Sequence, residues 1–424
     1  MEFADLDIFK WVSELAHLYE LDTRPAAARY ISLAEEFRRT FGEHEAFLVS
    51  APGRTELAGN HTDHQNGIVL CAAVTRDILA AAMASDDNTV DIRSAGFSDI
   101  RITLDDLSPR ESERGTGRGL VRGVAAALKE RGFALGGFRA VTHSLVPAGG
   151  GLSSSAAFEV LIGALFNLFY NDDRIDPLTL AMAGQTAERE YFGKPSGLMD
   201  QTASACGGIT MIDFADPAAP RVEPIAFDFR KNGYVLCAVD TRTSHADLTE
   251  EYASIPAEMK LAARAMGAEL LRYADGKALT DPVRRPALEK ELPPRAILRA
   301  EHFFEENGRV PMMADALRRG DMADYIRLMN DSGRSSREKL QNVVPSGHPE
   351  SGGMALALDR AAALLEGKGA WRIHGGGFAG SIQCLVPEAD YAAFRESMDG
   401  WYGQGACFEL RVRPCGPHVF GTIV

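Results

Sequence analysis

Three short segments carry more chemistry than a framework needs. The first is Pro52-Gly53-Arg54-Thr55-Glu56-Leu57-Ala58-Gly59-Asn60-His61-Thr62-Asp63-His64. It concentrates carboxylates, amides, imidazoles and a guanidinium in one turn region beside apolar strands, where ligand contacts tend to gather. His61, Asp63 and His64 would also suit a transition metal, but no further histidine or cysteine cluster supports one. A plain surface turn explains Pro52-Gly53 but not that density of polar groups. The second is Pro147-Ala148-Gly149-Gly150-Gly151-Leu152-Ser153-Ser154-Ser155-Ala156-Ala157. Glycines let a backbone approach a ligand closely. Serines can cap a helix that follows, and the free N–H groups of its first turn then favour an anion. No lysine follows the glycines, so this is not the common G-x-x-x-x-G-K-[ST] nucleotide loop, nor is it a G-x-G-x-x-G turn. A ligand-free Gly-Ser turn is the alternative. The third is His374-Gly375-Gly376-Gly377-Phe378-Ala379-Gly380-Ser381, which by itself reads as a structural bend or a close ligand approach.

The elements around these segments follow from periodicity. Apolar residues at helical spacing predict two helices over residues 8–41, separated near Asp22–Pro25. Ala46–Ser50 reads as a strand entering a turn. Ile68–Val74 and Ile78–Ala84 read as two strands, followed by Val90–Ser94 and Ile100–Leu104. Leu120–Arg131 reads as a helix and Phe138–Ser144 as a strand feeding the glycine loop. Ser153–Tyr170 is apolar on most faces, so a buried helix is expected, with another over Leu178–Phe192. Gly207–Phe214 and Gly233–Asp240 read as strands. Residues 248–329 are mainly helical, and Trp371–Val386 is a strand, a glycine turn and a second strand. The expected class is α/β (α+β). A length of 424 residues calls for two domains, drawn by element type as 1–205 and 206–424.

Composition removes several classes. The hydrophobic share is 46% and the charged share 25%, both ordinary for a globular chain. A net charge of −14 argues against a nucleic-acid partner. The start, MEFADLDIFKWVSELA, has acidic residues where a signal peptide has basic ones, and no run reaches the ~20 apolar residues of a membrane span. Cys71, Cys206, Cys237, Cys384, Cys407 and Cys415 are scattered and form no C-x-x-C pair, which predicts reduced thiols and a cytoplasmic protein.

Taken in order, the three segments resemble the motifs of the GHMP kinase superfamily. The first narrows the resemblance to the galactokinase family, whose signature reads P-G-R-x-N-L-I-G-E-H-T-D-Y. Ser196-Gly197-Leu198-Met199-Asp200-Gln201 is similar to that family's G-x-M-D-Q element. Arg299-Ala300-Glu301-His302, Glu306-Asn307 and Met329–Ser332 also fit. The resemblance implies a two-domain GHMP kinase fold with the active site in the interdomain cleft. It also implies transfer of the terminal phosphate of ATP to the anomeric hydroxyl of a galactose-like sugar. By the same resemblance Asp200 and Arg54 are catalytic, and Asn60, His61, Asp63, Gly197 and Tyr252 contact the sugar. Gly149, Gly150, Gly151, Leu152, Ser153, Ser154 and Ser155 cradle ATP, while Ser155 and Glu188 hold Mg2+. A monomer or weak homo-oligomer is expected. Three departures bear on the sugar. The family's glutamate before the histidine is Asn60, and its asparagine before the leucine is Glu56; its tyrosine after the aspartate is His64. A neutral Asn60 leaves galacturonate, arabinose or N-acetylgalactosamine as alternative substrates. Gly117 and Leu120 stand where the family has an aromatic pair near the adenine. A non-catalytic sugar and nucleotide sensor is the alternative from another class; the complete Ser153–Ala157 run, with Asp200 and Arg54 present, counts against it.

Overall fold

The computed structural model describes residues 8–20, 23–147, 151–243, 248–346 and 353–423. Its strands are β1 (Ala46–Ala58), β2 (Ile68–Ser85), β3 (Thr89–Ser94), β4 (Ile100–Thr103), β5 (Gly137–Ser144), β6 (Ile209–Asp213), β7 (Arg221–Ile225), β8 (Tyr234–Asp240), β9 (Ala370–His374), β10 (Ser381–Pro387), β11 (Cys407–Glu409) and β12 (His418–Ile423). The larger sheet runs β12-β1-β2-β5-β3-β4, with β6 paired to the start of β2 and β7 to β6. The smaller sheet runs β11-β8-β10-β9. The fold is α/β with two sheets, as expected. The division at 205 does not match them, because β6, β7 and β12 lie in the larger sheet.

Two strands are longer than the sequence suggests. Ile68–Val74 and Ile78–Ala84 are one strand, β2, despite the polar Thr75-Arg76-Asp77 between them. The polar run does not break the strand because the fully buried Asp77 is satisfied inside the protein, by Arg413 at 2.9 Å, Arg29 at 2.8 Å and the Tyr19 hydroxyl. Likewise β1 runs on through Pro52-Gly53 to Ala58, with register shifts between Pro52 and Arg54 and between Glu56 and Ala58. Such bulges accommodate a proline and re-aim the side chains beyond it. They turn Arg54, Thr55 and Glu56, all less than a tenth exposed, into the interior.

The expected buried helix is Ser154–Tyr170, and eleven of its residues are buried. Val160, Leu161 and Leu165 join Val49, Leu70 and Ala72 of β1 and β2 in one core. The helices Ile8–Tyr19 and Thr23–Phe41 form a second core with Leu48, Leu79 and Phe420, covering another part of the larger sheet. Leu178–Phe192 is not one regular helix. An α-helix Pro177–Thr186 gives way to a π-helical turn Ala187–Phe192. Such turns often mark functional positions, and this one carries Glu188.

Candidate active site

Arg54 on β1 and Asp200 in the first turn of the helix Met199–Cys206 meet in a two-pronged ion pair. Arg54 Nε donates to Asp200 Oδ1 at 2.6 Å and Nη2 to Oδ2 at 2.7 Å. The remaining Arg54 nitrogen, Nη1, donates to the Gly151 carbonyl, and the Arg54 backbone N–H donates to the Leu152 carbonyl at 3.1 Å. The pair is thus tied directly to the end of the glycine loop. Burial alone would raise the Asp200 pKa. The Arg54 guanidinium outweighs it, with Lys194 and Ser153 adding to the effect, and the carboxyl is held at about 2. Asp200 is ionised at any physiological pH.

Gly149 and Gly150 lie outside the described residues. Gly151 has φ +79, and a Cβ there would come within 2.8 Å of the His374 ring, so only glycine fits. Ser153 stands at the N-cap position of the Ser154–Tyr170 helix in the left-handed region (φ 55, ψ 70), and its side chain makes no capping bond. A non-glycine residue held there is a strained feature of the kind found at binding sites. The helix that follows begins at Ser154 and points its free N–H groups at the loop.

Ser155 and Glu188 come together. Ser155 Oγ donates to Glu188 Oε1 at 2.7 Å, and the same oxygen accepts from Lys194 Nζ at 2.7 Å. Gln201 Nε2 donates to Glu188 Oε2 and to Glu159 Oε2, each at 2.9 Å. Glu188 and Glu159 are fully buried. Burial, and after it the neighbouring Glu188, pushes the Glu159 carboxyl well above the usual carboxylate range, which favours its neutral form. Lys194 and Glu159 were not singled out from the sequence, and Gln201 appeared there only as part of a motif. One local signal existed for Glu159: it stands four residues after Ser155 on the same helix face.

The residues expected on the sugar side make contacts of their own. Gly197 lies so close to Asp63 that a Cβ would overlap Asp63 Oδ2. Asp63 Oδ1 accepts the His64 backbone N–H at 3.0 Å. His61 Nε2 lies 2.9 Å from the Gly376 carbonyl, which can only accept, so this nitrogen carries the proton. Nδ1 is then a lone-pair acceptor, buried and without a partner. Burial and then the neighbouring His64 hold the His61 pKa at about 3, which keeps the ring neutral. The Tyr252 hydroxyl donates to the Gly377 carbonyl at 2.7 Å, and its ring packs on Gly376. The third glycine segment therefore lies against the first, bringing the two sheets together at the site. Among the described residues no group of three histidine, cysteine or acidic side chains is placed to hold a metal.

Asn60, expected to contact the sugar, is engaged inside the protein. It is 1% exposed, and each polar atom of its amide is used inside the protein. Nδ2 donates to Glu56 Oε1 at 3.0 Å and to the Gly375 carbonyl at 2.7 Å. Oδ1 accepts from Asn342 Nδ2 at 2.8 Å. Glu56 in turn accepts from the fully buried Arg372 at 2.6 Å. Two of the departures from the family signature thus meet: the Asn60 amide and the Glu56 carboxylate are bonded to each other. Asn60 is a strut behind the site. The helical segments that fit the family have a related task. His302 Nε2 bonds the Asn60 carbonyl at 3.0 Å, Glu306 accepts from Gly59 N–H at 3.0 Å, and Asn307 accepts from Ile68 N–H at 2.7 Å. They hold both ends of the loop that carries His61 and Asp63.

Residues 35–84 match the galactokinase galactose-binding signature, and residues 119–208 match the GHMP kinases N terminal domain. A galactokinase of Streptomyces coelicolor is 32% identical over 370 residues, which cover 87% of this chain and 92% of that protein. The crystal structure of Lactococcus lactis galactokinase complexed with galactose superposes with a TM-score of 0.78 at 24% identity, covering 93% of this chain and 99% of that one. A D-glycero-D-manno-heptose 1-phosphate kinase from Bacteroides thetaiotaomicron superposes more loosely, with a TM-score of 0.57 at 15% identity over 88% and 98% of the two chains. With the Arg54–Asp200 pair bound to the glycine loop and these matches spanning most of its length, the chain belongs to the galactokinase family of GHMP kinases, ATP-using sugar kinases.

Proposed function

We propose that this protein transfers the terminal phosphate of ATP to the anomeric hydroxyl of galactose, in the cleft between the glycine loop and the Asn60–His64 turn. The observation that carries the reading is the Arg54–Asp200 pair, bonded to Gly151 and Leu152 at the end of that loop. It joins a carboxylate for the attacking hydroxyl to the segment that holds the phosphates.

Each residue has a definable task. The loop through Gly151–Ser155 and the helix after it offer backbone N–H groups to the phosphates. Asp200 accepts a hydrogen bond from the anomeric hydroxyl and orients its oxygen toward phosphorus. A carboxylate held at about 2 is a weak base. Phosphoryl transfer asks little of it, because in a loose transition state the attacking oxygen keeps its proton until late. Arg54 keeps Asp200 ionised and offers positive charge as charge builds on the transferring group. Asp63, His61 Nδ1, Tyr252 and the backbone at Gly197 recognise the other hydroxyls.

Ser155 and Glu188 fit a magnesium ion. Both present hard oxygens 2.7 Å apart, and Glu188 already accepts a cationic ammonium from Lys194. When bound, the ion neutralises phosphate charge and fixes the phosphate chain.

The electrostatics favour a neutral sugar over a sugar acid. His61 is uncharged, Arg54 is spent on Asp200, and Arg372 on Glu56. The same Arg54–Asp200 pairing and the intact Ser153–Ser155 run favour catalysis over a sensor. The test is phosphate transfer from ATP to galactose, galacturonate, arabinose and N-acetylgalactosamine, titrated with Mg2+ in wild type and Glu188→Gln. Galactose is expected to be turned over best, with a raised Mg2+ requirement in the variant. Turnover of galacturonate ahead of galactose overturns the sugar assignment, and an unchanged Mg2+ requirement overturns the role of Glu188.

A further inference from the structure

His374 ends β9, is 2% exposed, and stands against the phosphate loop from the opposite sheet. Its Nε2 is bonded to the Thr55 hydroxyl. Gln383 Nε2 donates to Thr55 Oγ1 at 2.6 Å. Thr55 Oγ1 lies 2.9 Å from His374 Nε2 and keeps a proton to donate to it. Where the Thr55 hydroxyl donates, Nε2 is the acceptor and a neutral ring carries its hydrogen on Nδ1. Burial, with Arg54 and Arg372 nearby, holds the His374 pKa at about 3, so the ring is neutral.

Among the described residues Nδ1 has no hydrogen-bond partner, although the atom is buried. It is the ring atom nearest the point above Gly151 where a Cβ would stand, at 2.8 Å. Gly151 is also the residue whose carbonyl receives Arg54. A buried, unpaired donor costs free energy unless something arrives to accept from it. What arrives at this end of the loop, beside Arg54 and Asp200, is an anionic oxygen.

We propose that His374 is a phosphate-binding residue whose Nδ1–H donates to an oxygen of the terminal phosphoryl group of ATP, with Thr55 and Gln383 setting its tautomer. A neutral donor suits this place. It stabilises the charge that builds on the transferring group without competing with Arg54 for Asp200. The inference rests on the kinase reading and adds a residue from the third glycine segment to it.

Two substitutions separate the nitrogens. Asparagine places an amide N–H where Nδ1–H stands, whereas glutamine places its amide at the Nε2 position. His374→Asn is expected to stay within about 3-fold of wild-type kcat. His374→Gln is expected to lose on the order of 10- to 100-fold, with the ADP dissociation constant unchanged and the preference for a non-hydrolysable ATP analogue over ADP reduced. Nitrogen-15 spectra of the labelled wild type should show His374 as the Nδ1–H tautomer, shifted by that analogue but not by ADP. Equal losses in the two variants, an Nε2–H tautomer, or a spectrum indifferent to the analogue each overturn the proposal. The spectra need no variant to fold. Wild type that binds the analogue without phosphorylating any sugar would instead refute the kinase reading.

Discussion

The exchanged pair Glu56 and Asn60 makes a demanding test, because each single change breaks it and the double change restores it. Asn60→Glu sets a second carboxylate at hydrogen-bond distance from Glu56, where both positions are almost fully buried. It also replaces a donor to the Gly375 carbonyl with an acceptor. Two like charges ~4 Å apart cost about 4 kcal/mol at an effective dielectric of 20. Burial already pushes the Glu56 carboxyl above its usual range, against the pull of Arg372. The new pair would therefore take up a proton, which caps the loss at about 3–5 kcal/mol. Glu56→Asn leaves the fully buried Arg372 without its carboxylate partner and should cost a similar ~3–5 kcal/mol. The double exchange, Glu56→Asn with Asn60→Glu, keeps one amide and one carboxylate in the same space. It should recover about 3 kcal/mol or more relative to the sum of the single losses. Urea denaturation of the four proteins closes the cycle, and galactose kcat/KM measured alongside reports on the turn that carries His61 and Asp63. Single losses that add to within ~0.5 kcal/mol would refute the reasoning, since independent sites behave that way.

Asp200→Asn should lower kcat on the order of 10²- to 10⁴-fold while ATP affinity changes little, because the carboxylate serves the sugar hydroxyl; near-normal turnover measured at saturating substrates would remove its catalytic role. Gly197→Ala should raise the galactose KM at least ~10-fold and leave the ATP KM nearly unchanged, since the added Cβ displaces Asp63; initial-rate kinetics in both substrates decide it. Stability should fall as pH drops from ~6.5 toward about 3. His61 and His374, each held at about 3 when folded, bind protons in the unfolded chain across that window. Asp200 and Glu306, held at about 2, add a further loss between ~4 and 2 as the folded carboxylates are finally protonated. Urea midpoints against pH measure the slope, and His374→Asn should flatten it between pH 6 and 4; an unchanged slope would mean that the ring is not buried neutral.

Much of the active site is legible along the chain because its chemistry is local. A glycine loop followed by serines announces a helix start that can take an anion, and that is a property of backbone conformation within a few residues. The crowd of polar side chains from Arg54 to His64 announces a site for the same reason. The sequence also gives correct helices at Ser154–Tyr170 and Thr23–Phe41, where the apolar period is strong. What it leaves open are contacts between residues far apart in sequence. Thr75–Asp77 reads as a break and is strand, because Arg29 and Arg413 neutralise Asp77 from elsewhere. The helix expected to end at Phe192 changes pitch at Ala187, at the turn that carries Glu188, which reaches Ser155, Lys194 and Gln201. Asn60 reads as a sugar contact, yet its amide is fully taken up by Glu56, Gly375 and Asn342, the last 282 residues away. His374 reads as the edge of a bend until the fold sets it between Thr55 and Gly151. Residue type and local spacing determine which groups are available for chemistry. Which of them face a ligand, and in which protonation state, depends on burial and on partners that only the folded chain brings within 3 Å.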